Sequence, residues 1–215
     1  MNSQSLKLQP WKNKDAFILG GGSSLRDWDI DVLKGERVVG VNDAYIHGPY
    51  VCDVCVFGDF KWYKVHFNGL VNYAKNGGCV VTNCPQTVNE RFPWLYRMGR
   101  EARGLHHNAL GWNTNTGSSA LNLALILGAK TVYLLGFDMK LGLDGRSNWH
   151  NGSLDTPNPA VYTRMLGKDK NDNFVVVKKH LEVKFPDRIV INVTSDSDLD
   201  MFPKVDFETF WKERS

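Results

Sequence analysis

What most constrains this chain is a set of six short runs in which consecutive residues, rather than alternate ones, are mostly apolar. They open the unit Ala16–Leu25 (AFILGGGSSL) and recur at Arg37–Val41, Asp53–Phe57, Cys79–Thr82, Thr131–Gly136 and Arg188–Val193. A strand points successive side chains to opposite faces, so an unbroken apolar run is a strand buried on both sides. Between the runs lie stretches with helical character. Phe60–Lys75 is amphipathic and aromatic, and Ser118–Leu127 (SSALNLALIL) ends at the natural stop Gly128. Pro159–Lys184 reads as one or two helices broken around Gly167–Asn173, and Asp206–Arg214 as a short closing helix. The expectation is an α/β fold: a single Rossmann-like, doubly wound, mainly parallel sheet with helices on both faces. It should span residues 15–215, behind a polar, loosely held arm at 1–14.

The 215 residues, 42% of them hydrophobic, suffice for one domain with a core but are short for two. The formal charge of +3 is too mild to argue for nucleic acid or an anionic membrane. A nucleic-acid acceptor is compatible with the basic start of the chain, but no base-reading motif is visible. No run approaches a membrane span, and MNSQSLKLQPWKNKDAF lacks an apolar signal core, so the expected setting is cytoplasmic. Cys52, Cys55, Cys79 and Cys84 have a spacing that on paper suits zinc. Two of them flank or enter an apolar strand, where cysteine behaves as a small buried hydrophobe. Asn151-Gly-Ser and Asn192-Val-Thr match the glycosylation sequon, and without an export signal both read as accidental.

In a parallel α/β sheet, ligands sit at the carboxyl ends of the strands. The polar residues there are Gly20, Gly21, Gly22, Ser23 and Ser24, then Asn42 and Asp43, Gly58 and Asp59, Asn83, and Asp138. Three glycines after the first strand let the backbone approach a phosphate, with Ser23 or Ser24 available to cap the next helix. The dinucleotide fingerprint is only partly met, because Leu25 stands at its third glycine position, and there is no P-loop. NTNTGSS at Asn113–Ser119 precedes the most apolar helix, so Thr116, Gly117 and Ser118 could present hydroxyls and free N–H groups to an anion. Asp59 and Asp138 could hold a ribose hydroxyl or a metal, or could cap helices and pair with cations. The segment GLDGRSNWHNGSLDTPNP after the fifth run is long enough for a lid, about residues 139–160. Its His150 could take a proton from a hydroxyl near neutral pH. His47, His66 and His180 have no supporting motif.

The order FILGGGSSL, a strand ending N-D, a strand ending G-D, NTGSSALNLALILGAKTVYLLGFDM and a His-bearing loop resembles the bacterial sialyltransferase family. It is also similar to the related domain of 6-hydroxymethylpterin diphosphokinases, which recurs in bacterial and phage proteins. The sialyltransferase resemblance implies a transferase on a nucleotide-activated donor, CMP-sugar-like, with a hydroxyl-bearing acceptor. It implies that Gly20, Gly21, Gly22, Ser23 and Asn42 hold the nucleotide, that Thr116, Gly117 and Ser118 touch its phosphate, and that His150 is the general base without a metal. Asp59, Asn83 and Asp138 complete the expected donor site. The chain departs from that family in its G-D-F at Asp59 and in a shorter lid lacking a pair of tyrosines, with Tyr162 the nearest substitute. The diphosphokinase resemblance implies ATP and Mg²⁺ instead, with Asp59 and Asp138 as ligands. A nucleotide-binding module without chemistry is the third class. Relatives that form oligomers make a homo-oligomer conceivable, with Phe60–Phe67 as an interface, although such a stripe more often packs on its own sheet.

Overall fold

The computed structural model describes residues 11–150 and 173–214. Its strands are β1 (Asp15–Leu19), β2 (Val38–Val41), β3 (Val54–Phe57), β4 (Cys79–Thr82), β5 (Leu95–Arg97), β6 (Gly99–Glu101), β7 (Ala109–Gly111), β8 (Thr131–Leu135) and β9 (Ile189–Asn192). Its α-helices are α1 (Phe60–Lys75), α2 (Thr116–Ile126), α3 (Asn173–Lys184) and α4 (Phe207–Lys212). Seven strands form one sheet in the order β5-β4-β3-β2-β1-β8-β9, every pairing parallel. Strands β6 and β7 make a separate parallel ribbon. The chain walks outward from β1 through β5, then returns to β8 on the other side of β1. That reversal between β1 and β8 opens a crevice at the carboxyl edge, because the connections after the two strands leave in opposite directions.

The unbroken apolar runs now have their reason. Ala16 and Ile18 join one core cluster with Val39, Val54, Val56, Val81, Val132 and Leu134. Their neighbours Phe17 and Leu19 join the opposite cluster with Val38, Cys55, Phe57, Val80 and Leu135. Helices α2 and α3 close the first face through Leu121, Leu125, Phe174, Val177 and Leu181. Helices α1 and α4 close the second through Trp62, Tyr63, Leu70, Tyr73 and Phe210. Within the stretch Phe60–Phe67, Trp62 and Tyr63 are buried and Phe60 and Phe67 pack against that same cluster, so this aromatic stripe covers its own sheet. Cys52, Cys55 and Cys84 are buried and Cys79 half-buried, all four as free thiols, and burial pushes each of them up in pKa.

Two expectations change. The arm over residues 1–14 is tied down from Trp11 onward: that indole is 4% exposed in the core, and the backbone N–H groups of Trp11 and Asn13 donate to Leu127 and Gly128. Residues 1–10 lie outside the described residues, as do 151–160 of the expected lid, Tyr162 and Asn151. Strands β5, β6 and β7 are additions to the expected set, because they are three residues each and carry no apolar run. Side-chain amides hold this region instead. Asn122, wholly buried on α2, accepts the His106 and Gly111 N–H groups and donates to His106 O at 2.7 Å. Asn192 of the second sequon is wholly buried. Among the described residues, no helix is long and apolar enough to cross a membrane.

Candidate functional site

The glycine turn after β1 is shaped by close approach of protein to protein. The N–H groups of Gly20 and Gly22 donate to Leu135 O and Gly136 O, extending the ladder with β8. A Cβ on Gly20 would sit 2.8 Å from Gly136 O, and one on Gly22 would sit 2.4 Å from Asp138 Oδ1 and 2.6 Å from Gly136 O. The next five residues, Ser23–Asp27, form a 3₁₀ turn without a side-chain cap. Ser23 and Ser24 therefore do not cap a helix. Both hydroxyls and the Ser24 N–H, at 2.8 Å, donate to the Asp138 carboxylate, which is 5% exposed. A buried carboxylate is costly unless such donors surround it. Asp138 thus ties the end of β8 to the turn after β1, across the crevice.

Asp59 has a different task, since its side chain accepts the Trp62 N–H at 2.8 Å and caps α1. The ends of β3 and β8 stand three strand spacings apart, about 14 Å. Asp59 and Asp138 therefore do not meet at one cation, as the diphosphokinase resemblance required, because oxygen ligands of Mg²⁺ lie only about 2 Å from the ion.

Asn42 and Asn83 stand differently. Asn42 turns the chain out of β2 at a positive φ of 51°, and its buried Oδ1 has no hydrogen-bond partner among the described residues. Asn83, at the end of β4, is 3% exposed, and neither amide atom has a hydrogen-bond partner among the described residues. Leaving a buried polar atom unsatisfied costs about 1–3 kcal/mol, so each such atom calls for an explanation. Gly58 lies between them. A Cβ there would meet the Trp112 ring at 2.8 Å, Asn83 Oδ1 at 3.5 Å and Thr116 Oγ1 at 3.6 Å, so these three side chains converge over the end of β3. Arg100 lies across the Trp112 ring, its guanidinium carbon 3.7 Å from the ring centre.

The start of α2 is capped by Asn115, whose Oδ1 accepts the Ser118 N–H at 2.9 Å. Ser118 is fully buried and its hydroxyl donates to Asn115 O, so that side chain serves the helix start. Ser119 likewise donates to Gly111 O. Gly117 allows contact with Phe137, whose ring would lie 2.8 Å from a Cβ. The N–H groups of Thr116 and Gly117 are the ones this cap leaves over. Among the described residues, three of the four non-glycine positive φ values, at Asn42, Thr114 and Met139, fall at this carboxyl edge. Such strain gathers at working sites.

The segment 139–150 folds back over the turn. The Trp149 backbone N–H donates to Gly21 O at 2.9 Å, and its indole N–H to Gly20 O at 3.0 Å. Arg26 pairs with Asp144. This seats His150 with Nε2 3.9 Å from the position of a Gly21 Cβ and Nδ1 3.2 Å from Asp43 Oδ2. The structure so brings together the glycine turn, the end of β2 and His150. Asn83 and Thr116 gather around Gly58. In the sequence Asp43 stands only as the neighbour of Asn42, and His66 has no motif around it. Asp43 is 7% exposed and also accepts from the Trp62 indole, with His66 Nε2 at 3.7 Å. The available signal was Trp62 and His66 four residues apart on the amphipathic helix after G-D, a spacing that puts both on one face.

No family model and no curated protein matches this chain. Solved structures do. The MAf glycosyltransferase from Magnetospirillum magneticum AMB-1 matches 92% of the chain with a TM-score of 0.61 at 11% identity. The chain spans only 34% of that protein's length. The sialyltransferase CstII from Campylobacter jejuni, in complex with cytidine-5'-monophosphate, matches 90% of the chain and 85% of its own length, with a TM-score of 0.55 at 14% identity. An asparagine-to-alanine variant of the sialyltransferase CST-II, in complex with CMP, matches 89% and 86%, with a TM-score of 0.53 at 15% identity. These are likenesses of fold, and they agree with the parallel Rossmann-like sheet. The diphosphokinase half of the resemblance finds no support in these matches.

Proposed function

We propose that this chain is a glycosyltransferase that takes a sugar from a nucleotide-activated donor, with a cytidine nucleotide as leaving group. The observation that carries the reading is the Asp43-paired His150 standing over Gly21 at the crevice between β1 and β8. The likeness in fold to glycosyltransferases, two of them bound to CMP, supports it. Asn42 Oδ1 and the Asn83 amide, buried and without a partner among the described residues, support it as well, as polar groups a donor would satisfy.

The reaction would be an inverting displacement. His150 accepts the proton of the acceptor hydroxyl, the hydroxyl oxygen bonds to the anomeric carbon, and the bond from that carbon to the phosphate oxygen breaks. The electron pair leaves with the phosphate. Charge builds there, and fixed donors aimed at it lower the barrier. The glycine turn is a poor source of such donors, because Gly20, Gly22 and Ser24 already give their N–H groups to protein oxygens. The start of α2 is the better source, with the N–H groups of Thr116 and Gly117, the Thr116 hydroxyl and the positive end of the helix. Gly21 and Ser23 line the approach, Asn42 and Asn83 contact the donor, and Asp138 and Asp59 shape the two walls. The segment from Met139 to His150 lies over the glycine turn and closes one side of the site.

The test combines binding and turnover. Cytidine monophosphate should raise the melting temperature more than adenosine monophosphate, with a chelator present throughout. CMP-sugar should be consumed, and His150→Ala should lower turnover by about 10²–10⁴-fold while keeping the CMP-induced shift. Unchanged turnover in that variant removes His150 as base. Tight CMP binding without consumption of any donor would mark a binding module instead.

A further inference from the structure

Asp43 is a buried carboxylate, yet no lysine or arginine pairs with it among the described residues. It is 7% exposed, at the point where the left-handed turn at Asn42 takes the chain out of β2. Three N–H bearing rings face it. His150 Nδ1 lies 3.2 Å from Oδ2, the Trp62 indole donates to Oδ1, and His66 Nε2 lies 3.7 Å from Oδ1. His66 is fixed in turn. Its ring stacks on Trp62 at 4.3 Å and 13°, as the four-residue spacing on α1 allows, and its Nδ1 lies 3.1 Å from the Tyr45 hydroxyl. Burial first, then the charges of Asp43 and Cys55, push that hydroxyl up to about 12, so Tyr45 is a donor at neutral pH.

One set of proton positions satisfies all of these contacts. Tyr45 donates to His66 Nδ1, His66 carries its proton on Nε2 facing Asp43 Oδ1, and Trp62 donates to the same oxygen. His150 then donates from Nδ1 to Oδ2, which leaves its lone pair on Nε2, the nitrogen on the Gly21 side. The two histidines are thereby held in opposite tautomers by one carboxylate. A neutral imidazole has one donor and one acceptor nitrogen, and the partner of the first decides which is the second.

We infer that Asp43 is the positioning residue of this site: it orients His150 and fixes its Nε2 as the proton acceptor, while Trp62 and the Tyr45–His66 pair hold Asp43 itself in place. This assignment rests on the glycosyl-transfer reading for its purpose, but not for its geometry. When His150 takes the acceptor proton on Nε2, its positive ring stays beside the Asp43 carboxylate on the Nδ1 side, which offsets the new charge.

The tautomers can be read directly. In ¹⁵N-labelled protein at neutral pH, the ring nitrogens of His150 should show Nδ1 protonated and those of His66 should show Nε2 protonated. His150 protonated on Nε2 would overturn the inference without any variant being made. Asp43→Asn should randomise or invert the His150 tautomer and lower kcat on the order of 100-fold with KM little changed. Asp43→Glu should recover part of kcat. His66→Gln, which can still donate to Asp43, should cost less than tenfold. Loss of kcat in Asp43→Asn with the His150 tautomer unchanged would make Asp43 merely structural and overturn its positioning role. The spectra need no donor, so failure of every nucleotide sugar to react would overturn the proposed function and leave the tautomer result to decide Asp43.

Discussion

At the residue scale, the glycines of the turn after β1 differ in what they tolerate. At Gly22 a Cβ would meet the Gly136 carbonyl and the Asp138 carboxylate, neither of which can retreat, since one is backbone and the other is held by three donors. Gly22→Ala should therefore destabilise the protein by about 1–3 kcal/mol, read by urea unfolding. At Gly21 the nearest obstacle, at 2.7 Å, is the amide oxygen of Asn148, the tip of a side chain. Gly21→Ala should cost well under half as much stability and act on the loop that carries His150, showing instead as lower turnover. Equal losses of stability from both variants would mean that close approach is not why glycine is required at Gly22. The glycines of this turn read from sequence as a phosphate cradle. In the fold, the Gly20 and Gly22 N–H groups serve protein contacts.

At the element scale, legibility followed local period. Helix α1 is read from sequence with its observed bounds, because an amphipathic stripe and the Asp59 cap are both local signals. Helix α2 is apolar nearly all round, since it lies between the sheet and the ribbon strand β7 and buries residues from Gly117 through Leu125. Strands β5 to β7 were illegible because each is only three residues long, and the segment between β6 and β7 is held by the side-chain amides of Asn122 and Asn113, which no local period records. Helix α3 brings a titration of its own. Burial first, then the neighbouring charge of Lys184, holds His180 below its usual 6.5. Its folded value is thus lower than its unfolded one, so below about pH 6.5 the unfolded chain binds more protons. Stability is full above that pH and is lost as pH falls towards the folded value. Burial also lowers His47, which adds to the slope. Between about pH 7.5 and pH 5, His180→Gln should lose less stability than the parent protein. A parallel decline would remove His180 as a cause.

At the scale of the whole molecule, the last helix closes the sheet face that α1 leaves open. Phe210 is 9% exposed and packs with Tyr133 at 4.6 Å and Phe17 at 6.2 Å, while Phe207 stacks on Trp28 at 3.8 Å. Arg214 adds contacts to Asp15 at 2.7 Å and Glu36 at 3.4 Å. Apolar burial outweighs partly exposed ion pairs, so Phe210→Ala should cost about 3 kcal/mol in urea unfolding and Arg214→Ala about 1 kcal/mol or less. The reverse order would mean that the ion pairs, rather than the rings, hold the chain end to β1.

The sequence by itself determined the architecture. Doubly buried strands alternating with helices admit few arrangements, and parallel strands bring all their carboxyl ends to one edge, so the neighbourhood of the site followed from chain direction alone. Only the tertiary structure decided which side chains meet there and how. Asp43, Tyr45, Trp62, His66 and His150 meet because β2 lies beside β1 and because the segment 139–150 folds back over the glycine turn. Asp138 serves the turn after β1 because β8 returns to the far side of that strand. Such contacts depend on strand order and register, which couple positions far apart in the chain, and no local period records them.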